Sequence, residues 1–303
     1  MKPPFNNINL TTRYTLFMMS ILISGPSLSA EPLLIYSVNY PLQYFAERIA
    51  GEHARVVFPA PAGIDPALWQ PGISEIRQYQ QADLVLLNGA GYAHWVRQVS
   101  LPRARLLDTS AAFSDSLIEI GATVTHSHGP GGKHAHAGYA AVTWLDPLQA
   151  VTQAAAIRAA LIRLRPDASA ALEQNFQALE TELLALDSKL KDVAGELQSV
   201  PVLAAHPVYQ YLGRRYALDV RTIYWEADRY PAPTAWEVPA GLAGKVQPTI
   251  MLWETAPLAA TQKELEEQGI RSVVFATAAR RPDQGDYFTV MHANLARLGA
   301  VTH

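Results

Sequence analysis

No cysteine occurs anywhere in the 303 residues, and that absence excludes more than any other feature of the chain. Without thiols there is no disulfide framework, no thiolate metal ligand, no cysteine nucleophile and no lipid-modified N-terminal cysteine. Stability must come from packing, which a chain of this length can supply. An excess of either charge is missing too. Lys and Arg number 24 against 27 Asp and Glu, and the formal net charge of −3 gives no electrostatic case for nucleic acid or an anionic membrane. Three catalytic signatures are absent: the His-Glu-x-x-His helix of metallohydrolases, the Gly-x-Ser-x-Gly elbow and a phosphate-cradling glycine loop. A binding protein is therefore expected rather than an enzyme, and hydrolysis assays with and without zinc would separate the two.

Residues 1–30 differ from the rest. Lys2 and Arg13 precede an apolar run from Thr15 to Ile23, followed by Gly25-Pro26 and the small residues leading to Ala30. The pattern predicts a secretory signal peptide cleaved near Ala30, or after Ser29 because Leu28 is an imperfect residue three before the cut. An uncleaved anchor is the alternative, although the run is short for a membrane span. Export without cysteine points to a soluble, monomeric periplasmic protein, with no stable membrane insertion once the signal is removed.

Four of the nine histidines fall in residues 126–138, as two His-x-His pairs, His126 and His128, then His134 and His136, split by a Gly/Pro-rich stretch. Neutral imidazole is the commonest protein ligand for zinc and its neighbours, and glycines let both pairs turn toward one ion. His-rich tracts also scavenge metal loosely without forming the principal site, so both roles stand.

Short apolar runs alternate with helical patterns. Strands are expected at 33–38, 55–58, 83–87 and 105–107, with helices at 41–50, 74–81 and 92–99, before the irregular His-rich segment. Leu172, Phe176, Leu179, Leu183, Leu186, Leu190, Val193 and Leu197 form one apolar seam, predicting a helix over 167–198 bounded by Pro166 and Pro201. A coiled-coil dimer would use such a seam, as would a helix braced across two domains. Strands at 202–205, 220–224, 249–253 and 272–275 and helices at 207–216, 258–268 and 287–298 follow. The fold class is α/β: two lobes with parallel sheets joined by one long helix. The expected divisions are 1–30, 31–165, 166–199 and 200–303.

Several segments, in order, carry a resemblance: Asn39-Tyr-Pro through Gly51, Gly63-Ile-Asp-Pro66, Asn88-Gly-Ala-Gly91, Trp144-Leu-Asp-Pro147, Ala205-His-Pro207 and Trp253-Glu254. They closely resemble the periplasmic zinc and manganese receptors of metal ABC importers, the ZnuA/TroA type of cluster A-I solute-binding proteins. The resemblance implies a rigid linking helix and a metal held in the cleft between the lobes for delivery to a permease and its ATPase. It also implies three histidines and one carboxylate as ligands. At those positions this chain has Ala67, Val142, the retained His206 and, near the last strand, Ala278, with Asp283 and Asp286 close by.

Neither Ala nor Val can coordinate an ion. Either the His-rich loop supplies imidazoles to the same cleft, or the cleft takes another ligand such as a metal chelate or small solute. Glu226 and Glu254 each follow a Trp at or just past a strand end, and His206 also lies at a strand end, where open α/β sheets place ligands. Trp69, Trp95, Trp236 and Trp253 offer rigid surfaces for a ligand or for a core. The expected metal ligands are thus His206, His126, His128, His134, His136, Glu254 and Glu226, with Zn2+ first and Mn2+ second as cargo. A periplasmic metal chaperone or adhesin of the same fold is the alternative.

Overall fold

The computed structural model describes residue 1 and residues 31–120, 125–127, 133–135, 138–198, 200–237, 239 and 249–301, with backbone alone for 125–127 and 133–135. The chain divides into two units, Met1–Glu31 and Pro32–His303, and every element belongs to the second.

Strands β1 (Leu33–Ser37), β2 (Ala54–Val57), β3 (Leu84–Leu87) and β4 (Leu106–Asp108) form a parallel sheet in the order β2-β1-β3-β4. The central strands are apolar at nearly every position because elements cover both faces. Helix α1 (Tyr40–Ala50) starts where Asn39 Oδ1 accepts the Leu42 N–H and Pro41 occupies the first turn, and it ends at Gly51. Helix α2 is Ile73–Gln81. The helix expected at 92–99 is only a 3-10 segment, His94–Gln98. Gly89 and Gly91 before it have φ of 76° and 72°, and a Cβ on Gly89 would sit 1.7 Å from Ser110 Oγ. The turn therefore requires glycine and leaves no room for a regular helical start.

The second sheet repeats the first. Strands β9 (Val202–Ala204), β10 (Val220–Thr222), β11 (Thr249–Trp253) and β12 (Ile270–Val274) are parallel in the order β10-β9-β11-β12. In both sheets the first strand lies between the second and third, so each has a switch point between its first and third strands. Helices α5 (Gln210–Tyr216), α6 (Ala259–Glu267) and α7 (Tyr287–Gly299) accompany the second sheet.

Two helices lie between the sheets in chain order, one packed on the first lobe and the long one joining the lobes. Helix α3 (Pro147–Leu164) is capped by Asp146, whose Oδ1 accepts the Leu148 N–H. It is absent from the expected elements because much of its buried face is alanine, at Ala150, Ala154 and Ala160, an excellent helix former with a faint apolar signal. Helix α4 (Ser169–Gly195) follows a 3-10 turn and is shorter than the expected 167–198. Its seam, Leu172 to Leu190, is buried inside this chain, and α4 packs on α1 and α3 on one side and on α5 and α7 on the other. It is an internal brace. Trp144 adds a tie between the lobes: its Nε1–H donates to Thr277 O at 2.7 Å, and its carbonyl accepts from Tyr287 Oη at 3.3 Å.

The His-rich segment is not wholly irregular. Strands β5 (Glu119–Ile120) and β8 (Gly138–Tyr139) pair antiparallel, and between them β6 (Thr125–Ser127) pairs with β7 (Lys133–Ala135), placing His126 opposite His134. His128, His136 and His303 lie outside the described residues. No helix among the described residues is long and apolar enough to cross a membrane.

Candidate functional site

The second sheet delivers its polar side chains where the strand order reverses. Strands β9 and β11 are neighbours at the switch point; His206 lies just beyond the end of β9 and Glu254 just beyond β11. Parallel strands all open their carboxyl ends on one side, and the crevice there is the ordinary ligand position of such sheets. Glu226 comes from the loop after β10. Tyr224, two residues before it, has φ of 61°. A bulky side chain in the left-handed region costs about 1–2 kcal/mol, and such strain is typical of segments that turn a side chain into a site.

These three residues meet around one imidazole. His206 Nδ1 lies 3.0 Å from Glu254 Oε1, and His206 Nε2 lies 3.6 Å from Glu226 Oε1. The histidine is buried, at 8% exposure. Burial by itself pulls an imidazole's pKa down, but the hydrogen bond and charge of Glu254, followed by Glu226, outweigh it and hold His206 above its ordinary value. The two carboxylates sit at opposite ring nitrogens. Among the described residues, accordingly, no three His, Asp or Glu side chains converge on one point as a ready metal cage.

The Nδ1 contact is the one that orients a metal-binding imidazole, fixing the tautomer that leaves Nε2 as the coordinating atom. At Nε2 the spacing to Glu226 is the relevant quantity. Two ligands each about 2.0–2.2 Å from a tetrahedral zinc stand roughly 3.4 Å apart. The 3.6 Å separation of His206 Nε2 and Glu226 Oε1 is close to that value.

The trio borders a cleft of about 1610 Å³ whose other wall comes from the first lobe. Ala67, Val142 and Ala278 all border the same cleft as His206, so the three positions without a coordinating side chain face one space. Asp283 borders it as well. Asp286 does not serve it: Asp286 Oδ1 caps α7 at Thr289 N–H, and Oδ2 accepts from Tyr44 Oη at 3.0 Å. Of the tryptophans, Trp253 borders the cleft, whereas Trp69 packs edge-on against Trp95 and Trp236 against Trp225. Three bordering arginines, Arg229, Arg280 and Arg281, escaped the sequence reading, and the signal for each was its place within three residues of Glu226 or Ala278. The first sheet's switch point is closed: Asn39 Nδ2 donates to Asn88 Oδ1 at 3.2 Å, and Gln153 Nε2 donates to the same oxygen at 3.3 Å.

Two α/β lobes with a polar crevice between them, at the carboxyl ends of parallel strands, define a two-lobe ligand-binding protein. The chain belongs to the ZnuA family, described as zinc-uptake complex component A, periplasmic, which matches residues 35–301. The manganese-binding lipoprotein MntA of Halalkalibacterium halodurans is 24% identical over 222 residues, 71% of this chain and 68% of that protein. The high-affinity zinc uptake system protein ZnuA of Bacillus subtilis is 24% identical over 192 residues, 62% of this chain and 60% of that one, so this match spans less than two thirds of the relative's length. The crystal structure of the Zn(II)-bound ZnuA-like domain of Streptococcus pneumoniae AdcA covers 89% of this chain and 99% of that chain, with a TM-score of 0.72 and 21% identity. That likeness establishes the fold they share.

Proposed function

We propose that this protein is a periplasmic receptor that captures a divalent transition metal, zinc first and manganese second, for the permease and ATPase of an ABC importer. His206 Nε2 and one oxygen of Glu226 are the protein's ligands to the ion, and Glu254 orients the imidazole from Nδ1. The observation that carries this reading is the 3.6 Å approach of His206 Nε2 to Glu226 at the cleft, on the far side of the ring from Glu254. A coordinating nitrogen held in one tautomer beside a carboxylate suits zinc, copper or nickel better than manganese, and coordination geometry decides among them. The names of the relatives, zinc uptake and manganese binding, support a divalent transition metal as cargo without choosing between the two.

The test is a competition titration of the purified protein against a chromophoric zinc chelator. His206→Ala is expected to weaken binding of one equivalent of zinc by roughly tenfold or more, because losing one of about four ligands opens the ion's shell to water. Unchanged affinity would remove the site from this cleft.

A further inference from the structure

We infer that the ion occupies this cleft as a complex with a small carboxylate-bearing chelator, the metal on His206 and Glu226 and the chelator's anionic groups on Arg229 and Arg280. The inference rests on the proposed metal site and names the form in which its cargo is taken.

Coordination number makes the first argument. Zinc takes about four ligands. With Glu254 engaged at Nδ1, His206 Nε2 and Glu226 Oε1 supply two. The facing positions, Ala67, Val142 and Ala278, have no side-chain donor, so among the described residues about two positions stand open to a ligand that arrives with the ion. Size makes the second. The cleft, about 1610 Å³ and open to solvent on one side, holds far more space than a bare ion occupies.

Wall chemistry makes the third. Arg229 and Arg280 are exposed at the border, and a guanidinium fork matches a carboxylate bidentately. Arg281 also borders the cleft but is engaged elsewhere, 3.7 Å from Glu47 and over the Tyr40 ring. Tyr92 on the first-lobe wall and Trp253 on the second-lobe wall have buried polar atoms, Oη and Nε1, that lack hydrogen-bond partners among the described residues, a cost that a ligand oxygen would relieve. Asp228 and Asp283 border the cleft too. They repel a free polycarboxylate more than its zinc complex, in which the ion cancels part of the charge, so the cleft favours the complex over the chelator alone.

Titration calorimetry on the purified full chain, with His126, His128, His134 and His136 changed to Ser to silence the loop, tests this. The probes are Zn2+ alone, citrate alone, nitrilotriacetate alone, and each chelator mixed one to one with Zn2+. At least one complex is expected to bind one equivalent tenfold or more tighter than Zn2+ alone, with both free chelators silent. Arg229→Gln with Arg280→Gln should bring the ratio of complex to Zn2+ affinity toward one, and His206→Ala should abolish tight binding in every arm. If Zn2+ alone binds tightest and both chelators strip it, the chelate inference is overturned while the metal receptor stands. If no zinc-containing arm binds in this variant while the unaltered chain binds zinc, the loop completes the shell and the chelate inference alone is overturned; if neither chain binds zinc, or binding ignores His206→Ala, both are overturned.

Discussion

His206 carries opposite demands from its two carboxylates and from an ion. In the metal-free protein its raised pKa means that the imidazolium is stabilised between Glu254 and Glu226. That contribution to stability is fully present below the ordinary value of 6.5 and is lost as pH rises through the higher folded-state value. Metal binding has the reverse sign, since the coordinating nitrogen must be neutral. Protons therefore compete from a higher pH than for an ordinary histidine, and zinc affinity should already fall as pH drops toward 6.5. Glu254→Gln separates orientation from coordination. It should weaken zinc by about 10–100-fold, the usual effect of losing an outer-shell partner, and move the acid limb of the affinity profile to lower pH. Competition titrations between about pH 8 and about pH 5 read both effects, and an unmoved acid limb would show that Glu254 does not set the imidazole's basicity.

Helix α4 holds the lobes through more than its leucine seam. Asp187, on its inner face, accepts from Arg215 Nε at 2.9 Å and Nη2 at 2.7 Å, and from Tyr216 Oη at 2.9 Å. Arg215 also stands 3.8 Å from Asp146, the cap of α3, so one cluster fastens α3, α4 and α5. Burial raises the Asp187 pKa, but the bonds from Arg215 and Tyr216 outweigh it and hold it below the ordinary 3.8. This stability is present above 3.8 and lost as pH falls through the lower folded value. Asp187→Ala should cost about 2–3 kcal/mol, read as a lower urea midpoint at neutral pH, because it removes the acceptor of three bonds from Arg215 and Tyr216 and leaves the guanidinium only the longer contact to Asp146. The penalty should shrink at strongly acidic pH, where the wild-type carboxylate is itself protonated. Elements such as α4 were legible because leucine spacing needs no partner to be seen. The alanine face of α3 was not, since its burial depends on how closely α4 approaches. At 92–99, aromatic and valine spacing imitates a helix that the two preceding left-handed glycines prevent.

At the scale of the whole molecule, the two lobes were readable from alternating strands and helices, the cleft between them from the family resemblance, and the positions of His206, Glu226 and Glu254 from their places after strands. What could not be read was which nitrogen each carboxylate meets, because that depends on side-chain rotation at a switch point built from three separate strands. The role of the His-rich segment is likewise a property of the assembled molecule. Its stem strands β5 and β8 contribute Ile120 and Tyr139 to the border of the cleft, so the loop that carries His126, His128, His134 and His136 is rooted beside the candidate site. Two roles follow, donor to the first ion or collector of further ions. Changing all four histidines to Ser should leave the melting temperature of the metal-free protein unaltered in either case, since stability resides in the two sheets and α4 rather than in this segment. If the loop completes the coordination shell, zinc titration of that variant should lose tight binding of the first ion; if it collects, only weaker, additional ions should disappear. Adding Ala67→His and Val142→His to the loop-less variant sharpens the test, because both positions border the same cleft as His206. Recovery of tight single-ion binding there would show that the lobes still hold the geometry for three imidazoles, whereas tight binding by the loop-less protein without that repair would exclude the loop as a donor.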